Sequence, residues 1–255
     1  MKIKTMKPYL TESDGILSLQ FDEWSTQSEM SIDDTDALVI PYTRVIMSFL
    51  LLEPSPRHVA MIGLGGGSLA KYCYRHLPGT GITAVEINPD VIALRNEFAI
   101  PADDARFCVV LGNGAAWVAD TASQSNVQPD VLVPDVLIVD GFDADGLPAQ
   151  LSSQRFYDDC FAALADNGIM VVNMWKGYPH YDEYLARISN SFAGNRMIVD
   201  AQDGFNHIVL AVKSTAFPPA ASTIRHHANL LCESHPLNFQ ALANMLVRAL
   251  PNSVD

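Results

Sequence analysis

Residues 58–67 read HVAMIGLGGG, and residues 81–90 read GITAVEINPD. The first stretch is an apolar run that stops in glycines, and the second is an apolar run that reaches an acid. A helical pattern from Ser68 to His76 connects the two. A strand, a glycine turn, a helix and a second strand with a terminal acid form a βαβ unit of the nucleotide-binding type. This unit predicts an α/β fold built on a parallel sheet.

Three glycines and one acid are the candidate ligand contacts of this unit. Gly63, Gly65 and Gly67 allow a sharp turn and let a ligand approach bare backbone. Glu86 lies about 20 residues beyond the turn, where a carboxylate can accept hydrogen bonds from both hydroxyls of a ribose. The alternative is a glycine turn that only packs a helix against a strand. The position of the acid favours a nucleoside-type ligand.

Composition limits the partners that the protein can have. The net charge of −13 argues against a nucleic-acid partner, because phosphate binding needs clustered lysines and arginines. An acidic surface favours small cationic substrates instead. The longest apolar stretch, Val45–Leu52, is too short to span a bilayer, so no membrane partner is expected. The four cysteines lack the spacing of zinc ligands or of a disulfide framework. No metal is expected, and free thiols without an apolar leader predict a cytoplasmic protein.

The alternation of strands and helices continues to the end of the chain. It predicts a Rossmann-like, mostly parallel sheet of the class I methyltransferase type. Two closely spaced strands, Arg196–Ala201 and His207–Lys213, predict an antiparallel hairpin at its edge. Residues 15–31 alternate in the manner of a further β-hairpin. The predicted regions are a small N-terminal β region (1–36), a Rossmann-like catalytic domain that binds an adenosyl ligand (37–215) and a C-terminal helical cap (216–255).

Polar residues end three of the predicted parallel strands, where open parallel sheets carry their sites. They are Glu86, Asn113 and Asp140. Asn113, which Gly114 follows, can face an adenine amino group or backbone. Asp140 opens the segment DGFDADGLP (140–148), with three carboxylates in six residues. This segment is either a surface turn or a site for an amine, and its position after a buried strand favours the amine site.

Taken together, these motifs resemble the spermidine/spermine synthase family over most of the chain. They are, in chain order, Gln27, Tyr42, GLGGG (63–67), VEINPD (85–90), GNG (112–114), VDGFD (139–143), GLP (146–148) and Phe156-Tyr157. The resemblance implies an enzyme that moves an aminopropyl group from decarboxylated S-adenosylmethionine to a polyamine and releases methylthioadenosine. We expect no tightly bound cofactor, and we expect a homodimer.

The resemblance also implies roles for individual residues. Glu86 would bind the ribose, and Asp140 would be the catalytic acid and base. Asp143 would hold an ammonium group of the substrate. Gln27 and Tyr42 would line the pocket for the donor or the amine.

Six positions depart from the pattern of the family, and two of them are Gly141 and Phe142, which stand where the family has two serines between Asp140 and Asp143. Asn113 stands where the family has an aspartate near the adenine. Ser68 stands where an aspartate grips the aminopropyl ammonium of the donor, although a serine there could also cap the following helix. Thr43 and Arg44 stand where a histidine and a glutamate follow the tyrosine. These changes leave the predicted fold untouched and bear on the substrate.

Alternative functions therefore remain open. If Arg44 is near the site, it could pair the carboxylate of ordinary S-adenosylmethionine, as a methyltransferase would require. A non-catalytic protein that binds adenosyl thioethers is a further alternative. Asp140 and Asp143 favour aminopropyl transfer, because methyltransferases have no general need for them. Trp175, which follows a predicted strand end, could line the pocket, but a core aromatic is the preferred interpretation.

Overall fold

The structure is a computed structural model that describes residues 6–22, 26–125, 133–142, 146–201 and 203–251. Its strands are β1 (Tyr9–Ser13), β2 (Ile16–Gln20), β3 (Thr26–Ser31), β4 (His58–Ile62), β5 (Gly81–Glu86), β6 (Phe107–Leu111), β7 (Val136–Val139), β8 (Ile169–Trp175), β9 (Arg196–Asp200) and β10 (Asn206–Val212). Its α-helices are α1 (Pro41–Ile46), α2 (Ser68–His76), α3 (Pro89–Ala93), α4 (Gly114–Ser125), α5 (Gln154–Ala163), α6 (Tyr181–Ser191), α7 (Ala221–Leu231) and α8 (Phe239–Arg248). Two 3₁₀ turns span Met47–Leu51 and Ala149–Leu151.

The main sheet has seven strands in the order β6-β5-β4-β7-β8-β10-β9. β4 pairs in parallel with β5 and β7, and the parallel pairing continues to β6 on one side and β8 on the other. β10 runs antiparallel between β8 and β9. The predicted Rossmann-like, mostly parallel sheet with an antiparallel hairpin at its edge is therefore confirmed. Every residue of β4 and β7 is buried, as expected for parallel strands covered on both faces.

A separate antiparallel sheet precedes the main sheet. β2 and β3 form the predicted hairpin, whose tip at residues 23–25 lies outside the described residues. β1 pairs with β2 from Tyr9↔Gln20 to Ser13↔Ile16, so the sheet has three strands rather than two. β1 was not predicted from the sequence, because its five residues, YLTES, are mostly exposed and show little apolar alternation. An edge strand of this kind needs few buried side chains.

Alternating side chains give the main sheet two faces. On the first face, residues of β4, β5, β7 and β8 form one hydrophobic cluster with the three-stranded sheet, α1, α7 and α8. On the second face, the alternate residues pack against α4, α5 and α6. The first cluster includes Leu19 of the N-terminal region and Phe239 of the C-terminal region. All three predicted regions contribute side chains to this one cluster, so the cluster does not mark where one region ends and the next begins. The predicted boundaries at 36/37 and 215/216 stay a prediction.

Among the described residues, no helix is both long enough and apolar enough to cross a bilayer.

Candidate active site

Strand alternation places the strand-end polar side chains on one face of the sheet. For each of Glu86, Asp140 and Asn173, the residues two and four positions earlier in the chain belong to the first face. Because side chains on a strand repeat every second residue, all three point to that same face. The strands are parallel, so the three groups also meet at one edge of the sheet. They line a single cavity of about 1070 Å³.

The N-terminal sheet and α1 close this cavity from the opposite side. Gln27 and Ser28 of β3 line it, as does Tyr42 of α1. Pro41 occupies the first turn of α1, where its fixed φ suits a helix start and sets the direction of Tyr42. The Ser68 hydroxyl donates to the Glu29 carbonyl at 3.2 Å. That bond ties the N-terminal sheet to the start of α2.

The glycine loop brings backbone to the cavity without side chains. Gly63 and Gly65 line the cavity and have φ values of +101° and +53°. A Cβ on Gly63 would lie 2.4 Å from the backbone oxygen of Asp140, so the loop and the acid are packed together. Gly67 is not part of the cavity wall. It is the residue before α2 and turns the chain into that helix with φ +70°.

Glu86 is held by backbone. Its carboxylate accepts the Leu64 N–H at 2.9 Å through one oxygen and the Asn88 N–H at 2.8 Å through the other. The residue is only 8% exposed. Each carboxylate oxygen has a second acceptor site, so both can still accept a hydrogen bond from a ligand. A pair of ribose hydroxyls fits that capacity.

Asn113 does not line the cavity, but it contacts a residue that does. Its Oδ1 accepts the Ala116 N–H at 3.0 Å and so caps α4, while its Nδ2 donates to Gln150 Oε1 at 2.8 Å. Gln150 lines the cavity, and so does Gly114. A Cβ on Gly114 would lie 2.2 Å from Ile62 Cγ2, so only glycine fits there without a shift. The predicted contact of Asn113 with an adenine stays a prediction.

Asp140 is a buried carboxylate with two side-chain partners. Its Oδ2 accepts the Tyr42 hydroxyl at 3.1 Å, and its Oδ1 accepts Asn173 Nδ2 at 2.9 Å. Burial raises the pKa of Asp140, and the hydrogen bonds from Asn173 and Tyr42 oppose that rise. Burial, followed by the charge of Asp140, raises the pKa of Tyr42 well above its usual value. Tyr42 therefore remains a phenol that donates its proton to the acid.

Two cavity residues were not recognised as site residues from sequence. Asn173 is 2% exposed and contacts Asp140, and its place on β8, two residues beyond the apolar Val171, is the signal that alternation offers. Trp175 is 39% exposed and lines the cavity, so the interpretation as a core aromatic was wrong. It is the last residue of β8, beyond the part of the strand that helices cover.

The three remaining predicted residues, Arg44, Ser68 and Asp143, do not share one location. Arg44 is directed away from the cavity, because its guanidinium donates to the Leu38 and Val39 carbonyls. It is not in place to pair a donor carboxylate. Ser68 lines the cavity and is the first residue of α2, so Gly67 and not Ser68 is in the N-cap position. Asp143 lies outside the described residues.

A family model and two relatives that match over most of their length identify one family. The family model "Spermine/spermidine synthase domain" matches residues 39–182. A polyamine aminopropyltransferase of Neisseria meningitidis serogroup A is 32% identical over 96% of this chain and 90% of its own length. One of Chromobacterium violaceum is 33% identical over 93% of this chain and 88% of its own.

A solved structure shows the same fold. The crystal structure of spermidine synthase in complex with the transition-state analogue AdoDATO has a TM-score of 0.67 and 19% sequence identity. The match covers 96% of this chain and 86% of that one. The sequence matches and the shared architecture lead to one assignment: the chain belongs to the spermine/spermidine synthase family.

Proposed function

We propose that this protein is an aminopropyltransferase that moves the aminopropyl group of decarboxylated S-adenosylmethionine to a polyamine. The observation that carries the proposal is the buried carboxylate of Asp140, which Tyr42 and Asn173 hold in the same cavity as Glu86. The names of the relatives, polyamine aminopropyltransferases, support it. The cavity has a place for a nucleoside and, two strands away, a place for an amine.

The donor lies over β4 and β5 in this proposal. Glu86 accepts the two ribose hydroxyls, and Gly63 and Gly65 let the nucleoside rest on backbone. Gly63 packs against the backbone of Asp140, so a group that extends from the ribose along the loop arrives beside the acid. Ser68 and Gly114 also line the cavity.

The acceptor lies over β7, β8 and β10. An alkylamine must be neutral to attack, and with a pKa near 10.4 its deprotonation at pH 7 costs about 4.6 kcal/mol. Asp140 attracts the ammonium, and because burial raises its pKa it is suited to take the leaving proton. We propose that Gln27 lines this pocket with Tyr42, and that Asp143 helps to hold the substrate ammonium that Asp140 attracts.

The bond changes balance without a redox partner. The amine nitrogen bonds to the methylene carbon next to the sulfonium, the carbon–sulfur bond breaks, and its electron pair returns to sulfur as neutral methylthioadenosine. The nitrogen gives its proton to Asp140. The chain contributes mainly by holding donor and acceptor together in the right orientation.

Methyl transfer from ordinary S-adenosylmethionine is less favoured by the geometry. Arg44, the candidate partner for its carboxylate, is bound to the Leu38 and Val39 carbonyls. Asp140 is buried beside the glycine loop, and methyl transfer has no general need for such an acid. No observation at the cavity favours methyl transfer over aminopropyl transfer.

We further propose that the protein acts in the cytoplasm as a homodimer. All four cysteines are free, which fits a reducing compartment. Light scattering coupled to gel filtration measures the mass of the particle, and a mass equal to one chain contradicts the dimer.

The function is tested by mass spectrometry of the products. The purified protein is incubated with either donor and with a panel of amines. We expect methylthioadenosine and an amine that carries an additional aminopropyl group, with the decarboxylated donor only. Release of S-adenosylhomocysteine with a methylated amine would show methyl transfer instead, and absence of both products would contradict both transfer reactions.

A further inference from the structure

Two exposed aromatic side chains form the rim of the cavity over β8 and β10. Trp175 is 39% exposed and Phe205 is 74% exposed, and both line the cavity. The backbone holds them as neighbours, since Asn206 pairs with Trp175 and the Lys176 N–H donates to the Phe205 carbonyl at 2.8 Å. Ligand pockets are lined mainly by hydrophobic and aromatic side chains, and adjacent exposed aromatics at a cavity mouth fit that pattern.

Phe142 fixes the orientation of the indole. Its ring stacks on Trp175 with centroids 5.3 Å apart and an angle of 19° between the planes. Phe142 follows Asp140 by two residues, so the segment that carries the acid also holds the indole. Because a stacked ring restricts rotation, Trp175 offers the cavity an oriented aromatic surface.

The aromatic surface of Trp175 lies a short distance along β8 from the position of Asp140. Asn173, which hydrogen-bonds Asp140, and Trp175 are two residues apart on β8 and point to the same face. At 3.3 Å per residue, the two side chains start about 7 Å apart along the strand. A linear amine whose reacting nitrogen lies at Asp140 therefore reaches Trp175 with its next few atoms.

We infer that Trp175, backed by Phe142 and flanked by Phe205, binds the second, non-reacting ammonium of the acceptor through a cation–π contact. The inference rests on the proposed aminopropyl transfer and adds the identity of a specificity-determining residue. Among aromatic side chains, the face of tryptophan attracts a cation most strongly. The acceptor class is then a linear diamine or longer polyamine with its second cation a few methylenes from the reacting nitrogen.

The neighbouring Lys176 does not oppose this cation directly. Its Nζ lies 3.6 Å from Asp200 Oδ2. Met197 and Val199 belong to the first face, so alternation turns Asp200 to the second face. Lys176 itself lines the cavity, but its ammonium is paired with the carboxylate of Asp200.

The test compares two substitutions of Trp175 with a matched control. Trp175→Leu keeps an apolar side chain but removes the aromatic face, Trp175→Phe keeps an aromatic face, and Trp117→Leu makes the same exchange on α4, away from the cavity. Steady-state rates are measured with 1,4-diaminobutane as acceptor. We expect Trp175→Leu to raise the KM for the diamine about five- to tenfold with kcat little changed. We expect Trp175→Phe to recover most of that loss and Trp117→Leu to change nothing.

A neutral analogue separates the cation from simple packing. In 4-aminobutan-1-ol a hydroxyl replaces the second amine, and its inhibition constant should not change with Trp175→Leu. An equal rise for the analogue and the diamine, or a Phe variant no better than Leu, would overturn the inference. If wild-type protein transfers nothing to any amine, the proposed function itself fails. If the wild type is active and Trp175→Leu keeps its KM, only the role of Trp175 fails.

Discussion

The two halves of the cavity are built in different ways. Over β4 and β5, the ligand-facing atoms are bare backbone and a carboxylate that backbone N–H groups orient. Over β7, β8 and β10, they are side chains that orient one another: Tyr42 and Asn173 hold Asp140, and Phe142 holds Trp175. The half that we propose for the nucleoside therefore depends on main-chain geometry, and the half that we propose for the amine depends on a set of side-chain contacts. Substitutions should separate binding of the donor from transfer to the acceptor.

This difference explains what the sequence could and could not predict. Gly63, Gly65 and Glu86 were found because a glycine turn with an acid about 20 residues later has few other uses. The order of strands followed from apolar runs and their alternation with helices. Asp140 was found because it ends a buried strand.

The amine half was predicted less completely because its contacts join distant parts of the chain. Nothing local in the sequence links Tyr42 to Asp140, 98 residues away, or Trp175 to Phe142. Arg44 was expected to be a possible partner for the donor, but two carbonyls before α1 hold it. Such side-chain contacts depend on tertiary packing, which local patterns do not specify.

Asp140→Asn should have the largest effect. Asn keeps the shape but can neither take a proton nor attract an ammonium, so kcat should fall about 10²- to 10⁴-fold. Binding of methylthioadenosine, measured by calorimetry, should stay unchanged because it depends on the other half of the cavity. Asp120→Asn, an exposed acid on α4, is the control. Wild-type turnover in Asp140→Asn would remove the acid from the mechanism.

Glu86→Gln should weaken binding of the nucleoside, in contrast to Asp140→Asn, which should lower kcat. It removes the charge from the carboxylate that faces the ribose, which should cost about 1.5–3 kcal/mol, or about 10- to 100-fold in the Kd of methylthioadenosine. Acceptor KM at saturating donor should change little. Glu97→Gln, an exposed acid outside the cavity wall, serves as the control. An unchanged Kd would place the nucleoside somewhere other than over β5.

Tyr42→Phe should change the pH dependence. The Tyr42 hydroxyl stabilises the charged form of Asp140, so its removal should raise the pKa of Asp140 further. The acid limb of the kcat profile should then move to higher pH, because Asp140 must be deprotonated to take the proton of the amine. Asn173→Leu should move the limb in the same direction. A limb that stays in place or moves to lower pH would show that the phenol does not act through Asp140.

Ser68→Asp should have the smallest effect. A carboxylate there would repel the carboxylate of ordinary S-adenosylmethionine by about 1 kcal/mol at 4 Å in a water-like dielectric, or about fivefold. Preference for the decarboxylated donor should therefore rise, measured as the ratio of the two dissociation constants. Ser68→Asn is the neutral control. Equal ratios in the wild type and both variants would leave Ser68 with only its bond to the Glu29 carbonyl.

A crystal structure with methylthioadenosine and 1,4-diaminobutane tests the division of the cavity most directly. We predict that both ribose hydroxyls lie within hydrogen-bonding distance of Glu86, and that one amine nitrogen contacts Asp140 beside Tyr42. The other nitrogen should lie over the face of Trp175. A nucleoside bound over β8 and β10, or a diamine bound over β5, would contradict the account.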